Sequence, residues 1–130
     1  MAAAQQYLLA ARQLRNEGVE SKARRQYEQA ASLLVHLTRT DALPRIRTAI
    51  AKHDAAGNSE KAMSRFSLAA EFANASKCYR LLAEAKFGSG QEPEKAQRYG
   101  ELAVEFLQKE IATLAEEAQG RPSEAAATGR

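Results

Sequence analysis

The residue types that most often carry chemistry are sparse in this chain and stand apart from one another. Its two histidines, His36 and His53, have no second metal ligand at helical spacing, and no HExxH segment or Glu-x-x-His pair is present. Cys78 is the only cysteine. We expect a buried structural thiol at the start of a helix, where the helix terminus could lower its pKa. The sequence therefore predicts no metal site and no nucleophilic cysteine.

The sequence signals for phosphate binding and for proton transfer are equally weak. Gly88-Ser89-Gly90 lacks the lysine and the serine or threonine of a phosphate loop, and no strand precedes it, so we interpret it as a turn. The carboxylates near the C-terminus have the spacing of a solvated helix face; they are Glu101, Glu105, Glu110, Glu116 and Glu117. We expect no enzymatic activity and no cofactor.

One basic cluster is dense enough to be considered as a binding site. Lys22, Arg24 and Arg25 are flanked by Arg12 and Arg15. A solvated helix face, a contact with an acidic or phosphorylated peptide, and a contact with nucleic acid all fit such a cluster. RNA-binding helical repeats need several base-reading side chains in each repeat and a long basic groove, which the sequence largely lacks. Nucleic acid is therefore the least supported of the three partners.

Composition indicates one folded, helical domain. The chain has 130 residues, of which 45% are hydrophobic and 27% charged, which is enough for a core without disulfides. Alanine, leucine, glutamate, glutamine, lysine and arginine dominate, whereas β-branched and aromatic residues are few. The net charge is +3, and residues 1–56, with nine basic and five acidic side chains, contribute +4. The expected fold class is all-α.

The sequence also bears on localisation. No apolar run approaches the ~20 residues of a membrane span, and a lone thiol fits a reducing compartment, so we expect a cytoplasmic protein. Met1–Asn16 contains Arg12 and Arg15 but no acidic residue, as a mitochondrial presequence does. The mitochondrial matrix is the alternative compartment.

An internal repeat organises the chain. A glycine, an alanine, an aromatic residue and a second alanine recur at identical spacing after 39 residues, and two of the alanines recur again after a further 34. The repeated residues are Gly18, Ala23, Tyr27 and Ala30, then Gly57, Ala62, Phe66 and Ala69, then Ala96 and Ala103. This spacing predicts helical hairpins, in which the glycine closes the first helix and the alanines let the second approach closely.

The repeat resembles the tetratricopeptide repeat (TPR), whose signature is W-x₂-L-G-x₂-Y followed by A-x₃-F. In the first copy, Tyr7, Ala10, Ala11 and Leu14 stand at the first-helix positions, and Ala23 and Tyr27 stand in the A-x₃-F segment. The second copy keeps Ala49, Ala62, Phe66 and Ala69 but has Ile46 at the leading aromatic site and His53 at the tyrosine site, and the third offers Ala83 and Phe87 in its first helix. No copy has the closing proline, and Gly100 stands where the third copy needs a large residue.

The resemblance implies three antiparallel hairpins stacked as a short solenoid over residues 1–118. We expect helices at about 4–16, 20–38, 44–55, 59–73, 76–87 and 93–118. Polar residues and Pro44 at 40–44, and Asn74–Ser76, mark the breaks between hairpins. In the long last helix, Leu107, Ile111 and Leu114 should cover the open end of the stack. Residues 119–130 have few large apolar side chains and are expected to form a disordered tail.

In TPR proteins the first helices line a concave surface, so the resemblance also implies a binding site. The residues expected on that surface are Gln5, Leu8, Arg12, Arg15, Arg47, Ala51 and Leu81. The lysine and asparagine of the carboxylate-gripping subgroup are replaced by Leu8 and Arg12. We therefore expect an adaptor or chaperone-like module that binds an acidic and apolar peptide or helix of a partner protein.

Other helical modules remain open as alternatives. Microtubule-interacting-and-transport domains and SNAP-like trafficking adaptors also have the A-x₃-Y-x₂-A spacing after a glycine turn. A structural subunit, whose incomplete third hairpin is completed by a partner helix, is a further alternative. The sequence leaves the partner and the oligomeric state open.

Overall fold

The chain folds into long helices joined by short turns. The structure, a computed structural model, describes the backbone of residues 1–129 and the side chains of residues 1–116. Within that part the helices are α1 (Ala2–Asn16), α2 (Glu20–Leu37), α3 (Leu43–Ala55), α4 (Lys61–Ser89) and α5 (Pro93–Gly129). No strand occurs in the described backbone, so the all-α prediction is confirmed. The tail expected at 119–130 stays a prediction, because the side chains from residue 117 onward lie outside the described part.

The break predicted at 40–44 is wrong, although α2 and α3 lie within one residue of the helices expected at 20–38 and 44–55. A single π-helical turn, Thr38–Ala42, connects α2 to α3 without interruption. The hydroxyls of Thr38 and Thr40 donate to the carbonyls of Leu34 and His36 at 2.7 and 2.8 Å, so these residues hydrogen-bond back along the helix. Pro44 lies in the first turn of α3, where its missing N–H is tolerated.

The break predicted at 74–76 is wrong as well. The two short helices expected there are one helix, α4, of 29 residues. Ala75 is completely buried, and the hydroxyl of Ser76 donates to the carbonyl of Ala103 on α5 at 2.7 Å. Ser76, which could have capped a helix, instead connects α4 to α5. Over the described backbone, residues 1–129, four continuous helical segments therefore replace the six helices expected.

The turn between α1 and α2 agrees with the sequence analysis. Gly18 has a φ of 79°, the left-handed conformation that glycine adopts readily. Its N–H donates to the carbonyl of Arg15 at 3.0 Å, and that of Val19 donates to Leu14 at 2.9 Å. These two bonds satisfy carbonyls at the end of α1 and start α2 in the opposite direction.

The turn between α4 and α5 is shorter than expected, because Gly88 and Ser89 belong to α4. Gly90, with a φ of 74°, is the residue that ends the helix. Glu92 also has a positive φ, 51°, and accepts hydrogen bonds from Lys86 and Lys95 at 2.9 and 2.8 Å. These bonds, first the one from Lys95, lower the pKa of Glu92 to about 2. The ion pairs anchor the turn to both helices.

The long helix α4 is the centre of the core. Its C-terminal half packs with α1, α2 and α5, and its N-terminal half packs with α3. Between α4 and α5, three aromatic pairs stack with ring centroids 5.7–6.1 Å apart; they are Phe72–Phe106, Tyr79–Phe106 and Tyr79–Tyr99. Much of the rest of the core is alanine, so the helices approach closely.

The repeat predicts burial well in its first copy and poorly in its second. Ala23, Tyr27 and Ala30 are buried on one face of α2, as expected. In the second copy Ala69 is buried, whereas Ala62 and Phe66 are exposed. Leu68, Phe72 and Ala75 fill the core there instead. Ala96, Ala103 and Ala83 are buried in the third copy, but Phe87 is exposed.

The alanines at the helix crossings give a first testable prediction. Replacing Ala30 or Ala69 with leucine is expected to lower the free energy of unfolding by about 1–3 kcal/mol, since both side chains are buried where helices meet closely. Urea denaturation followed by circular dichroism would measure the change. Ala51→Leu, at an exposed position of α3, is the control and should have little effect. An unchanged midpoint for both core variants would contradict the packing described above.

Candidate protein-binding surface

The residues expected to line one concave surface occupy different surroundings. Arg12 forms a two-pronged ion pair with Glu84 of α4, with N–O distances of 2.5 and 2.6 Å. This hydrogen bonding raises the pKa of Arg12. Its guanidinium is thus engaged within the chain, where it attaches α1 to α4, and is not available as an unpaired charge for a partner.

Arg15 also makes contacts within the chain. It donates to Glu20 at 2.5 Å and to the carbonyl of Gly88 at 2.7 Å, and its guanidinium carbon lies 4.7 Å from the centre of the Tyr27 ring. The hydrogen bond to Glu20 raises the pKa of Arg15 and lowers that of Glu20. One arginine thereby connects α1, α2 and α4, which indicates a structural role.

The remaining candidates do not complete a common surface. Leu8 and Leu81 are buried in the same core cluster, which corrects their assignment to an accessible face. Gln5 is partly exposed on α1. Arg47 and Ala51 are exposed on α3, which packs on the opposite half of α4 from α1. The structure therefore does not bring the seven residues together.

A different surface has the character of a binding site. Val104, Leu107, Ile111 and Leu114 are 53, 45, 58 and 37% exposed, and we call them the α5 stripe. Their spacing of three, four and three residues places them on one side of the helix. Leu107, Ile111 and Leu114 were expected to cover the end of the stack, and that prediction is wrong. They face outward because the neighbouring side of α5, with Ala103 and Phe106, packs on α4.

A groove of about 390 Å³ runs beside the α5 stripe, between α4 and α5. Its wall on α5 includes Val104 and Leu107. Small residues line much of the rest, namely Ala73, Ser76, Ala83, Gly100 and Ala103. Since these residues project little from their helices, another helix could approach the backbone of α4 closely. The stripe and this α4–α5 groove together form one open face.

The open face has basic residues on α4 and acidic residues on α5, of which Glu110 lines the groove itself. Lys77 and Arg80 line the α4 side, and among residues 1–116 no carboxylate lies within ion-pair distance of either. On α5, Glu101 and Glu105 lie 3.9 and 3.6 Å from Arg98, and all three are about half exposed. A basic edge on one helix and an acidic edge on the other can both select and orient a partner.

A second groove, between α3 and α4, is more polar. Arg45 spans it, with Asp41 at 3.8 Å and Glu71 at 2.9 Å, and several hydroxyl side chains line its walls. Glu71 raises the pKa of Arg45 through this hydrogen bond. Because its central charges are paired with each other, this groove offers less to a partner than the open face does.

The side chains of Cys78 and His53, considered first for chemistry, are engaged in packing or hydrogen bonding within the fold. Cys78 is buried in the middle of α4 and not at its start, and burial raises the pKa of its thiol. His53 hydrogen-bonds Ser64 at 2.7 Å, and His36 is exposed. Among the described side chains, no three His, Cys, Asp or Glu residues converge as a metal site requires.

Comparisons with protein-family models, with curated proteins and with solved structures find no match for this chain. In the described part of the chain, no helix combines the length and the hydrophobicity needed to cross a bilayer.

Proposed function

We propose that this chain is a non-catalytic protein–protein interaction module, an adaptor or scaffold, and that it binds through the open face of α4 and α5. The observation that carries the proposal is the α5 stripe, four large apolar side chains that remain 37–58% exposed on one helix. A contiguous apolar patch with polar edges is typical of an interaction surface. Amphipathic helices are the partners that apolar grooves of this kind receive.

We propose in addition that the fold is TPR-like. It is supported by the hairpin of α1 and α2, with its left-handed Gly18 and the buried Ala23 and Tyr27. Long continuous helices at the predicted joints modify the pattern and leave one hairpin, α4 with α5, open on one side. That open side takes the place of the concave surface as the proposed site.

Charge reversal within the stripe would test the proposed site. The tagged intact chain is used to capture proteins from an extract of its own cells, in parallel with Leu107→Glu/Ile111→Glu. We expect this variant to lose most of the bound protein, because carboxylates at the centre of an apolar contact would be buried without partners.

The matched control is Leu9→Glu, since Leu9 is an apolar side chain of similar exposure, 60%, on α1. It should retain the captured proteins, and circular dichroism should show that all variants are folded. Equal loss of binding by the control and the α5 variant, or unchanged binding by both, would contradict the proposed site.

A further inference from the structure

The open face is complementary to itself in size. Large apolar side chains stand on α5, at Val104, Leu107 and Ile111, whereas the α4 wall has small residues, among them Ala73 and Ser76, with the long side chains of Lys77 and Arg80 beside them. If α5 of one copy lay over α4 of another, each row of large side chains would fill the space above a row of small ones. Two copies facing each other would do this twice, as an isologous dimer requires.

The pairing of α4 with α5 fixes which residues lie level with one another. Phe72 stacks on Phe106 at 6.1 Å, Ser76 bonds to Ala103 at 2.7 Å, and Tyr79 stacks on Tyr99 at 6.0 Å, so the helices are antiparallel in a single register. A two-fold axis parallel to the helices would keep these levels in the second copy. Each α5 would then lie antiparallel to the α4 of the other copy, which is the arrangement of a four-helix bundle.

In this register the charges also match. Lys77 lies level with residues 101–102 of α5, and Glu101 lies on the flank of the stripe turned away from its own α4. Lys77 of one copy would therefore face Glu101 of the other, on both edges of the bundle, whereas Arg80 is level with residues 98–99. The favourable pairing would occur twice.

The same register accounts for an exposed aromatic side chain. Phe66 is 56% exposed near the start of α4, level with residues 112–113 of α5. In the facing copy it would lie beside Ile111 and Leu114, the two stripe residues beyond the main groove. The dimer would thus cover five large apolar side chains in each copy that are 37–58% exposed in the single chain.

A two-fold axis perpendicular to the helices is less favourable. It would place α5 over α5 and α4 over α4, so that large side chains meet large ones and alanines face alanines across a gap. The basic edges of α4 would also meet each other, which costs free energy through like-charge repulsion.

The geometry points to a homodimer in which the α4–α5 hairpins of two copies form an antiparallel four-helix bundle about a two-fold axis parallel to the helices. This inference rests on the proposed function, because it names a second copy of the chain as the occupant of the open face.

The first test is the mass of the intact chain in solution. Size-exclusion chromatography with light scattering, at concentrations from about 1 to 200 µM, should give a mass approaching twice the 14.2 kDa of one chain at the upper end. Leu107→Glu/Ile111→Glu should remain at 14.2 kDa throughout that range, and Leu9→Glu should dimerise as the unchanged chain does. A monomer at every concentration, or a dimer that the α5 variant retains, would overturn the inference.

A charge swap tests the register. Lys77→Glu alone and Glu101→Lys alone should each weaken dimerisation by about three- to tenfold, because the symmetry repeats each repulsive contact. The double variant Lys77→Glu/Glu101→Lys should restore most of the affinity, since the pair is rebuilt with its charges exchanged. A dimer that the double variant fails to restore would overturn the proposed register.

The outcomes separate the two proposals. If the chain is monomeric but still captures another protein through the α5 stripe, the face binds a different occupant, and only the dimer is refuted. If neither self-association nor capture depends on the stripe, the proposed function fails as well.

Discussion

Replacing Gly88 with alanine is expected to lower the free energy of unfolding by about 2–4 kcal/mol, because α4 passes directly against the ring of Tyr27. A Cβ atom at residue 88 would lie only 2.4 Å from Cγ and Cδ2 of that ring. The ring cannot easily move away, since Tyr27 is buried and the guanidinium of Arg15 lies 4.7 Å from its centre. Urea denaturation of the purified variant would measure the loss.

A second substitution tests whether the contact with the Tyr27 ring causes this loss of stability. In a chain that already carries Tyr27→Leu, the ring is absent, and Gly88→Ala should cost at least about 1 kcal/mol less than it does alone. The control is Gly100→Ala in α5, where an added Cβ meets no atom within 4 Å. This change should raise stability by about 0.5–1 kcal/mol, because alanine is the better helix former. Equal destabilisation by the two single substitutions would show that Gly88 is not a packing glycine.

The contact between Gly88 and Tyr27 also shows what the sequence could and could not predict. Tyr27 was expected to fill space between helices, because alanine at 23 and 30 leaves room around it, and it is buried as expected. Its neighbour across the interface is 61 residues away in the chain, and Gly88 itself was interpreted as part of a turn. Local spacing reports which face of a helix is buried, but it carries no information on which distant backbone segment meets that face.

The predicted helix boundary was accurate at Gly18, where a glycine in the left-handed conformation ends α1, and it was two residues short at Gly90, where α4 ends at Ser89. At 40–44 and 74–76, where polar side chains and, in the first case, Pro44 marked a junction, the chain instead stays helical. Thr40 and Ser76 could have capped helices, yet the first bonds back along its own helix and the second bonds to α5. A short polar side chain offers the backbone several competing hydrogen bonds, and tertiary packing decides among them.

The seven residues expected on one concave surface do not lie together, for a related reason. A concave face built from first helices requires each hairpin to end before the next begins, whereas α4 runs through the expected joint. The signal for the open face was present in the sequence, since α5 carries two neighbouring apolar stripes, one through Ala103 and Phe106 and one through Val104 and Leu107. A helix with two such stripes has more apolar surface than a single neighbour covers.

Leu8 and Leu9, adjacent on α1, allow core and surface roles to be separated within one turn of helix. Leu8 is 1% exposed and packs in the cluster that joins α1, α2, α4 and α5, whereas Leu9 is 60% exposed. Leu8→Ala should lower the free energy of unfolding by about 2–5 kcal/mol, because it removes buried methyl groups and leaves a cavity. Leu9→Ala should change it by no more than about 0.5 kcal/mol.

Chemical denaturation of both variants, with binding measured separately on the folded fraction, tests this pair. If Leu8 lined a groove that holds a partner, Leu8→Ala would weaken binding while leaving stability nearly unchanged. The structure requires the opposite result: a large loss of stability, and unaltered affinity for whatever occupies the open face, because α1 contributes to the core behind α4 and not to the groove in front of it. Equal stability of the two variants would show that α1 is not docked on α2 and α4 as described, and the position of the open face would then have to be revised with it.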